Sequence, residues 1–215
     1  MTAQTKILIF DFDGTLADTT EGILRTMEAT LGRMGLPAAD GALVQQAIGL
    51  PLQNSLRVAG IPEERIAEGV DVYHEVFYEV APKHITLFPG VKESLLTLSE
   101  KGLRMGIATS RSEPSLVSLL EEHDIRQYFE VLGTVHSVER PKPAPDLVQW
   151  VLGRFGAAPQ EAMVIGDTTY DIAMGAAAGC RTCAVSYGNH SAERLLTVSP
   201  DHIISDLREL PALLV

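Results

Sequence analysis

The stretch that decides the fold is Ile7-Leu8-Ile9-Phe10-Asp11-Phe12-Asp13-Gly14-Thr15-Leu16-Ala17-Asp18-Thr19. Four apolar residues, read as a buried strand, run directly into two aspartates one residue apart and then a glycine. Charge at the end of a buried strand is costly unless an opposite charge compensates it. A period of two aims both carboxylates to one side while the backbone stays extended, and Gly14 lets the chain turn sharply afterwards. The carboxyl edge of a parallel sheet is where ligands bind, and an aspartate there can act as a nucleophile while a neighbouring acid donates and accepts protons. An Asx-type turn is the ordinary alternative. A calcium loop does not fit, because Leu16 and Gly22 stand where its glycine and glutamate belong.

Working outward, short apolar runs alternate with helically spaced ones. Strands are expected at 7–10, 103–108, 130–132, 163–165, 181–185 and 202–204. Helices are expected at 91–100, 114–123, 144–155, 170–178 and 206–214. This alternation predicts an α/β fold, a Rossmann-like parallel sheet core with helices on both faces. From Ala17 to His84 no strand is legible. There Ile23, Met27, Leu31 and Met34, then Ile66, Val70, Tyr73, Phe77 and Val80, recur at helical spacing and mark one apolar stripe per helix. Asp18 and Glu21 are spaced as a capping box for the first of these helices. The interval reads as a small α-helical cap domain inserted after the first strand, with residues 17–85 the cap and 1–16 plus 86–215 the core.

Three more strand ends carry polar chemistry. Thr109-Ser110-Arg111 follows one, Lys142 sits in Arg140-Pro141-Lys142-Pro143-Ala144-Pro145, and Gly166-Asp167-Thr168-Thr169-Tyr170-Asp171 follows another. Singly, each has a bland explanation: a helix cap, an exposed lysine in a proline-rich loop, acids in a first helical turn. Together and in this order, DxDGT, T-S, K-P-x-P and GDxxxD resemble the four motifs of the haloacid dehalogenase-like (HAD) hydrolase superfamily. The resemblance spans essentially the whole chain and is closest to the branch with a helical cap after the first strand, the phosphoglycolate phosphatase-like branch.

That resemblance implies a phosphatase working through an aspartyl-phosphate. It makes Asp11 the nucleophile and Asp13 the general acid and base. Thr109, Lys142 and the Ser110 backbone N–H would hold the phosphoryl group. Mg²⁺ would be bound by Asp11, the Asp13 carbonyl and Asp167, with Asp171 close by, orienting Lys142 or metal-bound water. Simple electrostatics agrees that a cation is needed: two carboxylates about 4 Å apart repel by roughly 4 kcal/mol at an effective dielectric of 20. The substrate implied is a small phosphorylated metabolite, phosphoglycolate-like. The alternatives are a phosphomutase of the β-phosphoglucomutase type, a pyrophosphatase or a nucleotide phosphatase. The cap loop Ile48–Ser55 is expected to face the site, and it lacks the lysine and serine-arginine pair associated with mutase caps.

Composition bounds the partners. Seventeen basic against 28 acidic residues give a net charge of −11, which disfavours a nucleic-acid partner. No apolar run reaches the ~20 residues a membrane helix requires. A cytoplasmic monomer or weak homodimer is the expectation. Cys180 and Cys183 are expected to be packing cysteines rather than a redox or zinc pair. Arg111 is left open between substrate contact and a side chain that only solvates the surface, and His74 between substrate contact and a half-buried packing role.

Overall fold

The computed structural model describes residues 4–214. A six-stranded parallel sheet runs β5-β4-β1-β6-β7-β8, built from β1 (Ile7–Phe10), β4 (Arg104–Ala108), β5 (Val131–Gly133), β6 (Ala162–Gly166), β7 (Arg181–Val185) and β8 (His202–Ile204). β1 lies inside the sheet because all four of its residues are buried on both faces. Leu8 and Phe10 join the larger apolar cluster with Met105, Ile107 and α5 (Val91–Glu100). Ile7 and Ile9 point the other way, onto α7 (Asp146–Phe155) and α8 (Thr169–Ala177). Helices therefore cover both faces, as a run of four apolar residues without alternation requires.

Register brings the functional strand ends level. Phe10 stands opposite Ile107 on one side and Ile165 on the other. The residues that follow, Asp11, Thr109 and Asp167, thus emerge at one edge of the sheet.

Helices follow β1 where the sequence places the cap: α1 (Thr20–Arg33), α2 (Gly41–Gln46), α3 (Leu52–Val58) and α4 (Ile66–Val80). α1 and α4 pack together through Met27, Leu31, Tyr73 and Phe77, all buried. Both chain passages to this cap run through a two-stranded antiparallel ribbon, β2 (Ala17–Asp18) with β3 (Thr86–Leu87). The sequence reading places no strand here, since two residues are too few to show a period. The expected capping box also does not form. Thr19 is the residue before α1, the Asp18 carboxylate only approaches the Thr20 N–H at 3.3 Å, and Glu21 pairs with Arg25. The closing segment is 3₁₀ over Leu207–Ala212 rather than the expected helix, because Pro211 lacks an N–H and cannot continue an α-helix. Among the described residues no helix is long and apolar enough to cross a membrane.

Phe10 is fully buried and meets the edge of the Phe129 ring at a centroid distance of 6.2 Å. Phe10→Ala is expected to lower unfolding free energy by about 3–5 kcal/mol, read from urea denaturation, through lost burial and the cavity left behind.

Candidate active site

The chain stays extended one residue past β1, with the Asp11 N–H donating to the Ile165 carbonyl at 2.9 Å. It then folds back: the N–H groups of Leu16 and Ala17 both donate to the Phe12 carbonyl, and Gly14 takes φ 82°. Glycine is required there twice over. Its φ suits no side chain well, and a Cβ would lie 2.2 Å from Asp167 Oδ2. The same crowding holds at Gly188, where a Cβ would come within 2.3 Å of the Asp167 side chain.

Three buried carboxylates gather at this edge, Asp11, Asp167 and Asp171, each offering an oxygen within 4.8 Å of the others. Lys142, with no side-chain exposure, bridges two of them, at 2.7 Å from Asp11 Oδ1 and 2.6 Å from Asp171 Oδ1. Asp171 is held by the start of α8: its Oδ2 accepts from the Thr168 N–H at 3.0 Å and the Thr168 hydroxyl at 2.6 Å. Asp167 accepts from the Thr15 hydroxyl on one oxygen and from the Asn189 N–H and amide on the other. Asp11 Oδ2 is buried and has no hydrogen-bond partner among the described residues.

The electrostatics follow from this arrangement. Burial is the largest influence on Asp11 and drives its carboxyl well above the usual range; Lys142 opposes this, and the other aspartates add to it. Asp167 is pushed up to about 7 by burial and Asp171, against the opposing hydrogen bonds from Asn189 and Thr15. Burial works against the Lys142 ammonium, but Asp11 and Asp171 outweigh it and its pKa is raised. Three carboxylates against one ammonium leave two formal negative charges in a site shut off from water. A bare, buried oxygen on Asp11 and a hard all-oxygen donor set fit a divalent cation of the magnesium type.

Asp13 faces elsewhere. Its carboxylate is gripped by Arg111, with Nη2 at 2.5 Å from Oδ1 and Nε at 3.0 Å from Oδ2. The metal role expected for Asp13 concerns its backbone carbonyl, which this pairing does not engage. The expected site residues are otherwise brought together: Thr109 and Ser110 line the same cavity of about 370 Å³ as Asp11 and Asp13. Ser110 also anchors the cap loop, its hydroxyl donating to the Gly49 carbonyl at 2.7 Å. That loop, with Ile48, Leu50 and Leu52, does face the cavity. His74 is exposed on α4 and lies at the cavity wall. Cys180 and Cys183 are free and buried, and burial pushes their thiols up to about 11 and about 12, as befits packing residues.

Sequence reasoning did not find Thr15, Gly188 or Asn189 as supports of Asp167, nor a role for Arg111. Gly188 and Asn189 follow β7, so the same strand-end rule that found the other motifs reaches them. They carry no charge to draw attention. His190 lies beyond them and accepts from the Thr169 N–H at 3.0 Å, fixing the first turn of α8.

A model of the haloacid dehalogenase-like hydrolase family matches residues 8–185. The chain belongs to that family. It is 34% identical over 209 residues to the "Probable phosphatase IndB" of Dickeya dadantii, covering 95% of this chain and 91% of that protein. It is 32% identical over 228 residues to the phosphoglycolate phosphatase of Escherichia coli K12, covering 95% and 90% respectively. A solved haloacid dehalogenase-like family hydrolase from Streptococcus pneumoniae superimposes with a TM-score of 0.87 at 25% identity, over 97% of this chain and 98% of that one.

The raised Asp167 carboxyl yields a pH prediction. Its folded pKa lies above the usual carboxylate value of 3.8, so in metal-free buffer the folded state binds the extra proton and loses that stabilisation as pH rises through about 7. A cation bound among these carboxylates would take the place of that proton. The gain in melting temperature on exchanging EDTA for MgCl₂ is therefore expected to grow between about pH 5 and pH 8, reaching on the order of 5 °C. Differential scanning fluorimetry at both pH values measures it; a gain that shrinks with pH contradicts it.

Proposed function

We propose that this chain is a Mg²⁺-dependent phosphatase of small phosphate monoesters, phosphoglycolate-like, working through an aspartyl-phosphate on Asp11. The observation that supports it most is the state of the Asp11 carboxylate. One oxygen rests on Lys142 while the other is bare and buried, so the bare oxygen is free for a cation and the first becomes free for phosphorus once Lys142 turns to the phosphoryl group. The sequence relatives carry phosphatase names, which favours hydrolysis over other uses of this fold.

In this reading the Asp11 carboxylate attacks phosphorus as the bond to the leaving oxygen breaks, and Asp13 gives that oxygen a proton. Water then attacks the aspartyl-phosphate, Asp13 takes the proton, and the bond to Asp11 breaks to release inorganic phosphate. Thr109, the Ser110 N–H and Lys142 hold the phosphoryl oxygens. Asp171 keeps Lys142 in place. Asp11, Asp167 and the Asp13 carbonyl would hold Mg²⁺, which when bound would supply positive charge against the phosphoryl group. The cap helices and the loop around Gly49 cover the cavity and limit the water that reaches it.

Asp11→Asn is expected to lower phosphate release from a panel of small monoesters by at least about 10³-fold in kcat while preserving the melting temperature to within a few degrees. Wild-type protein in EDTA is expected to lose turnover and recover it with Mg²⁺. Isomerisation of a hexose phosphate without free phosphate would assign the chain to the mutases instead. Undiminished release by the Asp11→Asn variant would overturn the mechanism.

A further inference from the structure

The pairing of Arg111 with Asp13 conflicts with the work assigned to Asp13. Arg111 engages both of its carboxylate oxygens, Nε at 3.2 and 3.0 Å and Nη2 at 2.5 Å. A carboxyl group held in that fork cannot also contact a leaving oxygen. The pair sits in the wall of the cavity, with side-chain exposures of 8% for Arg111 and 12% for Asp13.

The guanidinium itself has supports that do not involve Asp13. Nη1 donates to the Ser115 hydroxyl at 2.7 Å. The group lies over the Phe77 ring of α4 at 4.9 Å and near the Phe12 ring at 5.7 Å. Removing Asp13 from the fork would therefore leave a fixed, buried cation facing the cavity. Among the residues lining that cavity Arg111 is the one lysine or arginine, and the rest of the wall away from Asp11 is largely apolar, including Ile23, Met27, Val70 and Tyr73. An isolated buried guanidinium is strongly disfavoured, so whatever displaces Asp13 must itself be an anion. A planar, bidentate fork matches a carboxylate best.

We propose that Arg111 is the specificity-determining residue, which exchanges the Asp13 carboxylate for a carboxylate on the leaving group of the substrate and so releases Asp13 for proton transfer. This rests on the phosphatase reading above and on Asp13 acting as the acid. On exchange, the substrate carboxylate takes the two donors of the fork, and Asp13 turns to the leaving oxygen, taking up one proton from solvent. Asp13 gives that proton to the departing alkoxide and, while the released hydroxy acid still holds Arg111, regains one from the attacking water. When product leaves, Asp13 returns to Arg111 and gives the proton back to solvent. Substrates without a second anion leave the acid locked on Arg111. The preferred substrates are thus small phosphate monoesters of hydroxycarboxylic acids.

The test compares phosphoglycolate with 2-hydroxyethyl phosphate, nearly equal in size but with an uncharged leaving group, as substrates of the wild type and of Arg111→Gln in Mg²⁺. The wild type is expected to favour phosphoglycolate in kcat/KM by about 30-fold or more, the scale of a buried charge pair. In Arg111→Gln that ratio is expected to collapse at least tenfold, through loss on phosphoglycolate and gain on hydroxyethyl phosphate. A variant that lowers both substrates equally, or a wild type without preference, overturns the proposal and leaves the phosphatase reading standing. A wild type that releases phosphate from neither of these nor any other monoester overturns both. Should Arg111→Gln melt far below the wild type, Arg111→Lys keeps the charge without the fork. It is expected to lose turnover selectively on the carboxylate substrate, and an unchanged ratio there counts against the proposal.

Discussion

The structure depends on one buried ammonium. Lys142 has no exposed side-chain surface, yet it joins the end of the central strand to the start of α8 by touching Asp11 and Asp171. Neither partner is tolerable without it. Taking charges out of water costs several kcal/mol per ion, and removing the ammonium from such a set typically costs about 3–5 kcal/mol because its carboxylate partners stay buried and uncompensated. The three residues lie far apart in the chain, so this bridge can form only when the sheet has its final register. Fold and site are specified by the same contact.

Around that bridge the backbone is packed to the limit. Gly14 and Gly188 leave just enough room for Asp167, and Gly166 does the same for Asp171, where a Cβ would fall 2.2 Å from the aspartate's own. Local freedom has been given up to bring carboxylates closer together than they would choose to lie. The overall charge of −11 says little about this. What matters is the sign of a handful of charges shielded from solvent, where screening is weak.

Much of this was legible beforehand for a physical reason. Buried parallel strands are largely apolar, so residues 7–10, 162–166 and 183–185 stand out from helical stripes such as Met27, Leu31 and Met34. The chemistry-bearing residues follow strand ends, where a single rule finds Asp11, Thr109 and Asp167. Illegible features have causes too. The β2–β3 ribbon is two residues long on each side and shows no period. Thr15 and Asn189 are neutral residues whose importance arises only from proximity. Arg111 could not be placed because its partner lies 98 residues away in sequence, and nothing local distinguishes a buried guanidinium from a solvated one.

The narrow ribbon has a further meaning. Ala17 pairs with Leu87 and Asp18 with Thr86, so the chain leaves the sheet and comes back at neighbouring points. A segment whose two ends are already clasped together can lengthen, shorten or be replaced without shifting the strands beneath it. The sheet with its strand-end site and the helices that wall the cavity are thereby free to diverge at different speeds, joined by a neck only four residues wide in all.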